Sequence, residues 1–248
     1  MPMTDNNSKG RAERPSFLNT QGSHPEVKAI LFDMDGVLFD SMPNHAEAWV
    51  QAMKANGLKM THRDAYMHEG RTGEGTIDIF ARAQWGRAST EEERQYIYKV
   101  KSEIFNTLPY VLPMDGAREV LQAVKAMGLM RVVVTGSAQR SLLERLDHNF
   151  PGIFSAELMV TAFDVTNGKP HPEPYLTGLQ KAGISANEAI VVENAPLGVE
   201  AAKAAGIFTV AVNTGPLPDS VLADAGADIV LPNHHALLEA LPSLVARP

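Results

Sequence analysis

Val27-Lys28-Ala29-Ile30-Leu31-Phe32-Asp33-Met34-Asp35-Gly36-Val37-Leu38-Phe39-Asp40-Ser41 is the stretch whose reading decides the architecture. Its first half is a short, nearly continuous apolar run, the pattern of a strand buried on both faces. Similar runs recur at Met130 to Thr135, Glu157 to Thr161, Ala189 to Glu193, Ile207 to Val212 and Asp228 to Leu231. Helical patterns such as Arg118 to Met127 and Leu197 to Ala205 lie between them. Strands alternating with helices specify a parallel sheet covered on both sides, so the predicted class is α/β, a Rossmann-like doubly wound sheet.

The interval from about Asn44 to Leu108 breaks that rhythm. Ala46, Trp49, Val50 and Met53 fall at i, i+3, i+4 and i+7, one apolar stripe of a helix. A second helix is expected near Thr76 to Gln84, and a third after Thr90, an N-cap residue followed by Glu91, Glu92 and Glu93. The spacing therefore predicts an all-helical cap over residues 43–109 inserted into a core made of 26–42 and 110–248. Residues 1–25 are rich in Asn, Ser, Gly and Pro with few large apolar side chains, and are expected to form a disordered arm.

Composition narrows the function. Apolar residues make up 44% of the 248, and charged residues 21% with both signs mixed, the profile of a globular protein. A formal net charge of -7, without a Lys/Arg stripe, argues against a nucleic-acid partner. No apolar run reaches the 18 or so residues of a spanning helix, and the N-terminus lacks the apolar core of a signal peptide, so no membrane partner is expected. With no cysteine, a disulfide framework and thiolate metal sites are excluded. A cytoplasmic monomer is the expectation.

Open parallel sheets place ligands beyond the carboxyl ends of their strands, so the polar residues at those ends carry the chemistry. In an extended backbone Asp33 and Asp35 share a face while Met34 points away, and Gly36 frees the chain to turn. This Asp-x-Asp-Gly-Val-x-x-Asp-Ser stretch resembles the first motif of the haloacid dehalogenase (HAD) superfamily of phosphotransferases. The resemblance implies that Asp33 is a nucleophile forming an aspartyl phosphate and that Asp35 is the acid/base. Val132-Val133-Val134-Thr135-Gly136-Ser137 resembles the second motif, in which Thr135 and the backbone of Gly136 and Ser137 hold phosphate oxygens. Gly168-Lys169-Pro170-His171-Pro172 resembles the third, whose Lys169 offsets the charge of nucleophile and phosphate. Ile190-Val191-Val192-Glu193-Asn194 resembles the fourth, acidic motif, with Asn194 where a second carboxylate is usual. An amide oxygen still suits Mg2+, a hard ion that prefers oxygen donors. The implied cofactor is therefore Mg2+, held by Asp33, Asp35, Asn194 and Glu69.

The position of the helical insertion resembles the type-one cap of the beta-phosphoglucomutase-like branch, with His45 and Trp49 on its first helix. Sugar-phosphate mutases of that branch tend to carry basic residues in the loop that here reads His68-Glu69-Gly70-Arg71-Thr72-Gly73. Glu69 together with Asn194 instead resembles the inorganic-pyrophosphatase members, in which a cap carboxylate joins the metal shell. The expected reaction is hydrolysis of pyrophosphate or another small phosphate compound, with Arg71 and Lys101 binding the leaving phosphate. The alternatives are a beta-phosphoglucomutase, a sugar-phosphate phosphatase or a non-catalytic binding module. A dehalogenase has no use for Asp35. Gly70-Arg71-Thr72-Gly73-Glu74-Gly75 lies in the helical insertion and is not followed by Gly-Lys-Ser/Thr, so it is not a nucleotide loop.

Overall fold

The computed structural model describes residues 26–137 and 142–246. The expected arm therefore lies outside the described residues.

Six strands, β1 (Ala29–Phe32), β2 (Met130–Val134), β3 (Met159–Val160), β4 (Ala189–Glu193), β5 (Phe208–Val212) and β6 (Ile229–Leu231), form one sheet in the order β3-β2-β1-β4-β5-β6. Every pairing is parallel. β1 is central, with Leu31 opposite Val132 on one side and Val191 on the other. The chain works outward from β1 through β2 to β3, then returns to the opposite side as β4. Strand order thus reverses beside β1, and the carboxyl ends of β1, β2 and β4 border the resulting crevice.

Alternation along the strands feeds two apolar layers. Ile30, Phe32, Val133, Ile190 and Val192 face α5 (Ala117–Ala126) and α10 (His234–Val245), packing on Val120, Val124, Leu237 and Leu241. Leu31, Val132, Val134 and Val191 face the other way and pack on Tyr175 and Leu179 of α7 (Glu173–Ala182) and Ala201 and Ala202 of α8 (Pro196–Ala204). Because β1 is buried on both faces, each of its residues must be apolar, which is why the run is continuous. The remaining core helices are α6 (Leu142–Asn149) and α9 (Asp219–Asp224).

Between β1 and α5 the chain is helical: α1 (Met42–Ala55), α2 (His62–Met67), α3 (Gly73–Trp85) and α4 (Glu91–Thr107). These helices surround a third apolar cluster that includes Ala46, Met53, Leu58, Ile77, Phe80 and Ile97. Ala46 and Met53 of the expected stripe are fully buried, while Trp49 and Val50 are half-buried at its margin. Helix α2 is absent from the periodicity reading because it is only six residues long. Its signal was a capping box, in which Thr61 accepts from the Asp64 backbone and Asp64 accepts from the Thr61 backbone. Glu157 is not in a strand: residues Ala156–Leu158 make a 3-10 turn, and the edge strand β3 is two residues long.

Candidate active site

Asp33 follows directly on β1, where its backbone N–H still donates to the Val192 carbonyl as though the strand continued. Its side chain is buried, and Oδ1 accepts from Lys169 Nζ at 2.5 Å. Lys169 is itself buried and also donates to Glu193 Oε1 at 2.6 Å and to the Val134 carbonyl at 3.2 Å. One ammonium thus bridges the ends of β1, β2 and β4. Two carboxylates hold Lys169 in its charged form against the cost of burial.

Glu193 was quoted in the fourth motif without a role, and the geometry supplies one. Oε1 also accepts from the Tyr175 hydroxyl at 2.7 Å, while Oε2 accepts from the backbone N–H groups of Asn194 and Ala195. Both oxygens are occupied by the protein, so Glu193 positions Lys169. Gly198 makes room for it, since a Cβ there would lie 1.8 Å from Glu193 Oε1.

Asn194 Nδ2 donates to Glu69 Oε1 at 3.0 Å, which brings the loop between α2 and α3 onto the end of β4. Gly36, at φ +83°, passes so close that a Cβ would fall 2.0 Å from Asn194 Nδ2. The Gly36 carbonyl accepts from Thr214 Oγ1 at 2.7 Å, a contact the motifs did not indicate.

Asp35 points toward the helical insertion. Oδ1 accepts from Ser41 Oγ at 2.6 Å and lies 3.3 Å from His45 Nε2. His45 Nδ1 is 2.7 Å from Lys101 Nζ, and the ring of Phe105 stacks on His45 at 4.3 Å. Lys101 is buried, with its ammonium 5.2 to 5.3 Å from the ring centres of Phe105 and Trp49. Burial lowers the Lys101 ammonium to about 8, against the pull of Asp35. Burial alone would raise the Asp35 carboxyl; His45, Ser41 and Lys101 outweigh that and hold it below the usual range.

These groups enclose a cavity of about 100 Å³ lined by Asp33, Asp35, His45, Glu69, Lys101, Thr135, Gly136, Ser137 and Arg145. Thr135 Oγ1 accepts from the Ser137 backbone N–H at 3.1 Å, fixing the turn after β2. Two expectations need correction. Arg71 does not line this cavity: it lies along a separate groove with Gly168, Pro170 and His171, because the loop reaches the core through Glu69 and Gly70, and Arg71 falls beyond them. Nor do Asp33, Asp35 and Glu69 form one carboxylate cluster. Among the described residues no three His, Cys, Asp or Glu side chains are grouped to hold a metal, since Asp35 is turned toward Ser41 and His45. Arg145 was not singled out in the sequence, because a helical Arg outside the quoted motifs carries no local signal.

A divalent cation fits a smaller donor set. Asn194 Oδ1 is buried with no hydrogen-bond partner among the described residues, and Glu69 and Asp33 are buried carboxylates of the same site. Burial, Asp33 and Glu193 push the Glu69 carboxyl well above its ordinary value, as expected where several anions share a site built for a positive charge. Burial likewise pushes Asp33 upward against the pull of Lys169. Oxygen donors of this kind suit Mg2+.

The profile of the haloacid dehalogenase-like hydrolases matches residues 27–206. The chain belongs to that family and is an enzyme of the hydrolase class. It is 32% identical over 186 residues to hexitol phosphatase A of Escherichia coli, covering 75% of this chain and 83% of that one. It is 34% identical over 185 residues to a phosphorylated carbohydrates phosphatase of Thermotoga maritima, covering 73% and 82% respectively. A solved structure from Bacteroides vulgatus, provisionally described as a beta-phosphoglucomutase, superposes with a TM-score of 0.86 at 55% identity over 90% of this chain and 91% of that one. No helix among the described residues is long and apolar enough to cross a membrane.

Proposed function

We propose that the chain is a phosphatase for small phosphorylated compounds, with Asp33 as its nucleophile. The observation that carries this reading is the pairing of a buried carboxylate, Asp33, with a buried ammonium, Lys169, at the mouth of the crevice, with a second carboxylate, Asp35, in the same cavity. An Asp33 oxygen attacks phosphorus and forms an aspartyl phosphate. Asp35, ionised in the free enzyme, takes up the proton of a monoprotonated substrate phosphate and passes it to the departing oxygen, then removes a proton from the water that attacks the aspartyl phosphate. Thr135 and the backbone N–H groups of Gly136 and Ser137 hold the phosphoryl oxygens, and Lys169 offsets the accumulating negative charge. Mg2+, held by Asp33, Asn194 and Glu69, would supply charge neutralisation at the phosphoryl group. The helices of residues 43–109 act as a cap over this site.

Relatives named for hexitol phosphates and phosphorylated carbohydrates support a sugar or polyol monophosphate as substrate. A specific observation favours a second reading, inorganic pyrophosphate. The cavity of about 100 Å³ is smaller than the ~300 Å³ or more of sites for larger ligands. Glu69 of the cap also closes onto Asn194. The test is phosphate release with Mg2+ from pyrophosphate and from a panel of hexose, hexitol and glycerol phosphates, for the wild type and Asp33→Asn. Turnover by the wild type that vanishes in Asp33→Asn is expected; equal turnover by the two proteins would refute the nucleophile. The substrate with the highest kcat/KM decides between the readings.

A further inference from the structure

On the reading that Asp33 and Asp35 work in this cavity, we propose that Arg145 marks a subsite for a second anionic group. The preferred phosphoryl donors then carry negative charge on the leaving group, as phosphoric anhydrides do and phosphoesters bearing a second phosphate or a carboxylate near the scissile bond.

The cavity divides by charge. Asp33, Glu69, Asn194 and Lys169 gather at the ends of β1 and β4, where anions outnumber cations. On the side toward which Asp35 points, the balance reverses. Lys101 stands behind His45, its nearest polar neighbour being an imidazole nitrogen rather than a carboxylate. Arg145, on α6, lines the same cavity. Of the acids lining the cavity among the described residues, Asp35 is the one beside His45, and it is engaged by Ser41 and His45.

Arg145 is arranged to receive a ligand. Its Cζ lies 4.3 Å from the centre of the Phe39 ring, a cation–π contact that occupies one face of the guanidinium and leaves its edges for hydrogen bonds. Nη2 is buried and has no hydrogen-bond partner among the described residues. Arg82, Arg87 and Arg94 each pair with a carboxylate, whereas among the described residues Arg145 has no such ion pair. A buried N–H donor without an acceptor is costly, and an oxygen of an anionic leaving group would remove that cost. A neutral sugar hydroxyl would not supply the charge that a planar guanidinium recognises best.

The test compares selectivity within one enzyme. For the wild type, Arg145→Met and Arg145→Lys, kcat/KM is measured with Mg2+ on pyrophosphate, whose leaving group is anionic, and on glycerol phosphate and glucose 6-phosphate, whose leaving groups are neutral. In Arg145→Met the pyrophosphate-to-ester ratio falls about 10- to 100-fold, chiefly through KM on pyrophosphate. Arg145→Lys recovers part of it, having the charge without the planar fork. A ratio that stays the same in Arg145→Met, or a wild type that prefers the neutral esters, overturns the subsite while leaving the phosphatase reading intact. No turnover of any substrate by the wild type overturns both. Should Arg145→Met fail to fold, Arg145→Lys decides: a lowered ratio supports the subsite, and an unchanged one rejects it.

Discussion

Asn194 Nδ2 donates to Glu69 Oε1 at 3.0 Å, between residues 125 positions apart in the chain. An amide is the side chain that satisfies this geometry, since its N–H₂ binds the Glu69 carboxylate while Oδ1 stays buried, without a partner among the described residues. Replacing Asn194 by Asp sets two carboxylates against each other. Without metal, Asn194→Asp is expected to cost roughly 1–3 kcal/mol, and added Mg2+ to restore most of it. Thermal melts with and without Mg2+ check this; an unchanged metal-free Tm would show that the contact does not hold the two segments together.

Lys169 is the counter-charge for two buried carboxylates. Lys169→Met leaves Asp33 and Glu193 without it, which should cost about 3–5 kcal/mol and reduce kcat on the order of 100-fold or more. Urea unfolding with steady-state kinetics reads both. A variant as stable and as active as the wild type would remove Lys169 from the site.

The Tyr175 hydroxyl does its work through Glu193, without reaching the cavity. Tyr175→Phe keeps the ring, whose centre is 5.0 Å from Lys169 Nζ, and removes the 2.7 Å bond to Glu193. The expected loss is about 1–2 kcal/mol of stability, with a fall in kcat and an unchanged KM, because Lys169 is less firmly placed while the cavity wall is intact. A rise in KM alone would contradict this.

Gly198→Ala is a sharper probe of the same wall. The new methyl would overlap the Glu193 carboxylate, displacing the acceptor that anchors Lys169. Destabilisation of about 1–3 kcal/mol is expected, together with loss of turnover. Normal activity would mean that Glu193 can move without consequence.

Buried His234 provides a pH response away from the chemistry. Burial lowers its imidazole to about 4, against a hydrogen bond with the Val37 backbone that works the other way. The unfolded chain takes up this proton below about 6.5, whereas the folded chain resists until about 4. Stability from this residue is therefore present above 6.5 and declines as pH falls from 6.5 to 4, by about 3 kcal/mol in total. His234→Gln should flatten that part of the stability profile measured by urea unfolding; an equally steep profile would place the response elsewhere.

Much of the molecule was legible in one dimension. Each of the six apolar runs contains a strand, and the clearest, those of β1 and β4, are buried at every position, where apolar side chains are required on both faces. Asp33, Thr135 and Asn194 directly follow β1, β2 and β4, and a parallel sheet carries all its carboxyl ends to one edge, where Lys169 joins them from the loop before α7.

Long-range packing decided the rest. The occupation of Glu193 by Lys169 and Tyr175 and the turn of Asp35 toward Ser41 and His45 depend on long-range packing that no local pattern encodes. Arg71 and Arg145 show the limit most clearly. The first lies in a loop that reaches the site yet lines another groove, and the second lies on a helix with no motif yet lines the cavity. Sequence spacing determines which strand or helix carries a side chain, whereas the tertiary structure determines which charges share a cavity.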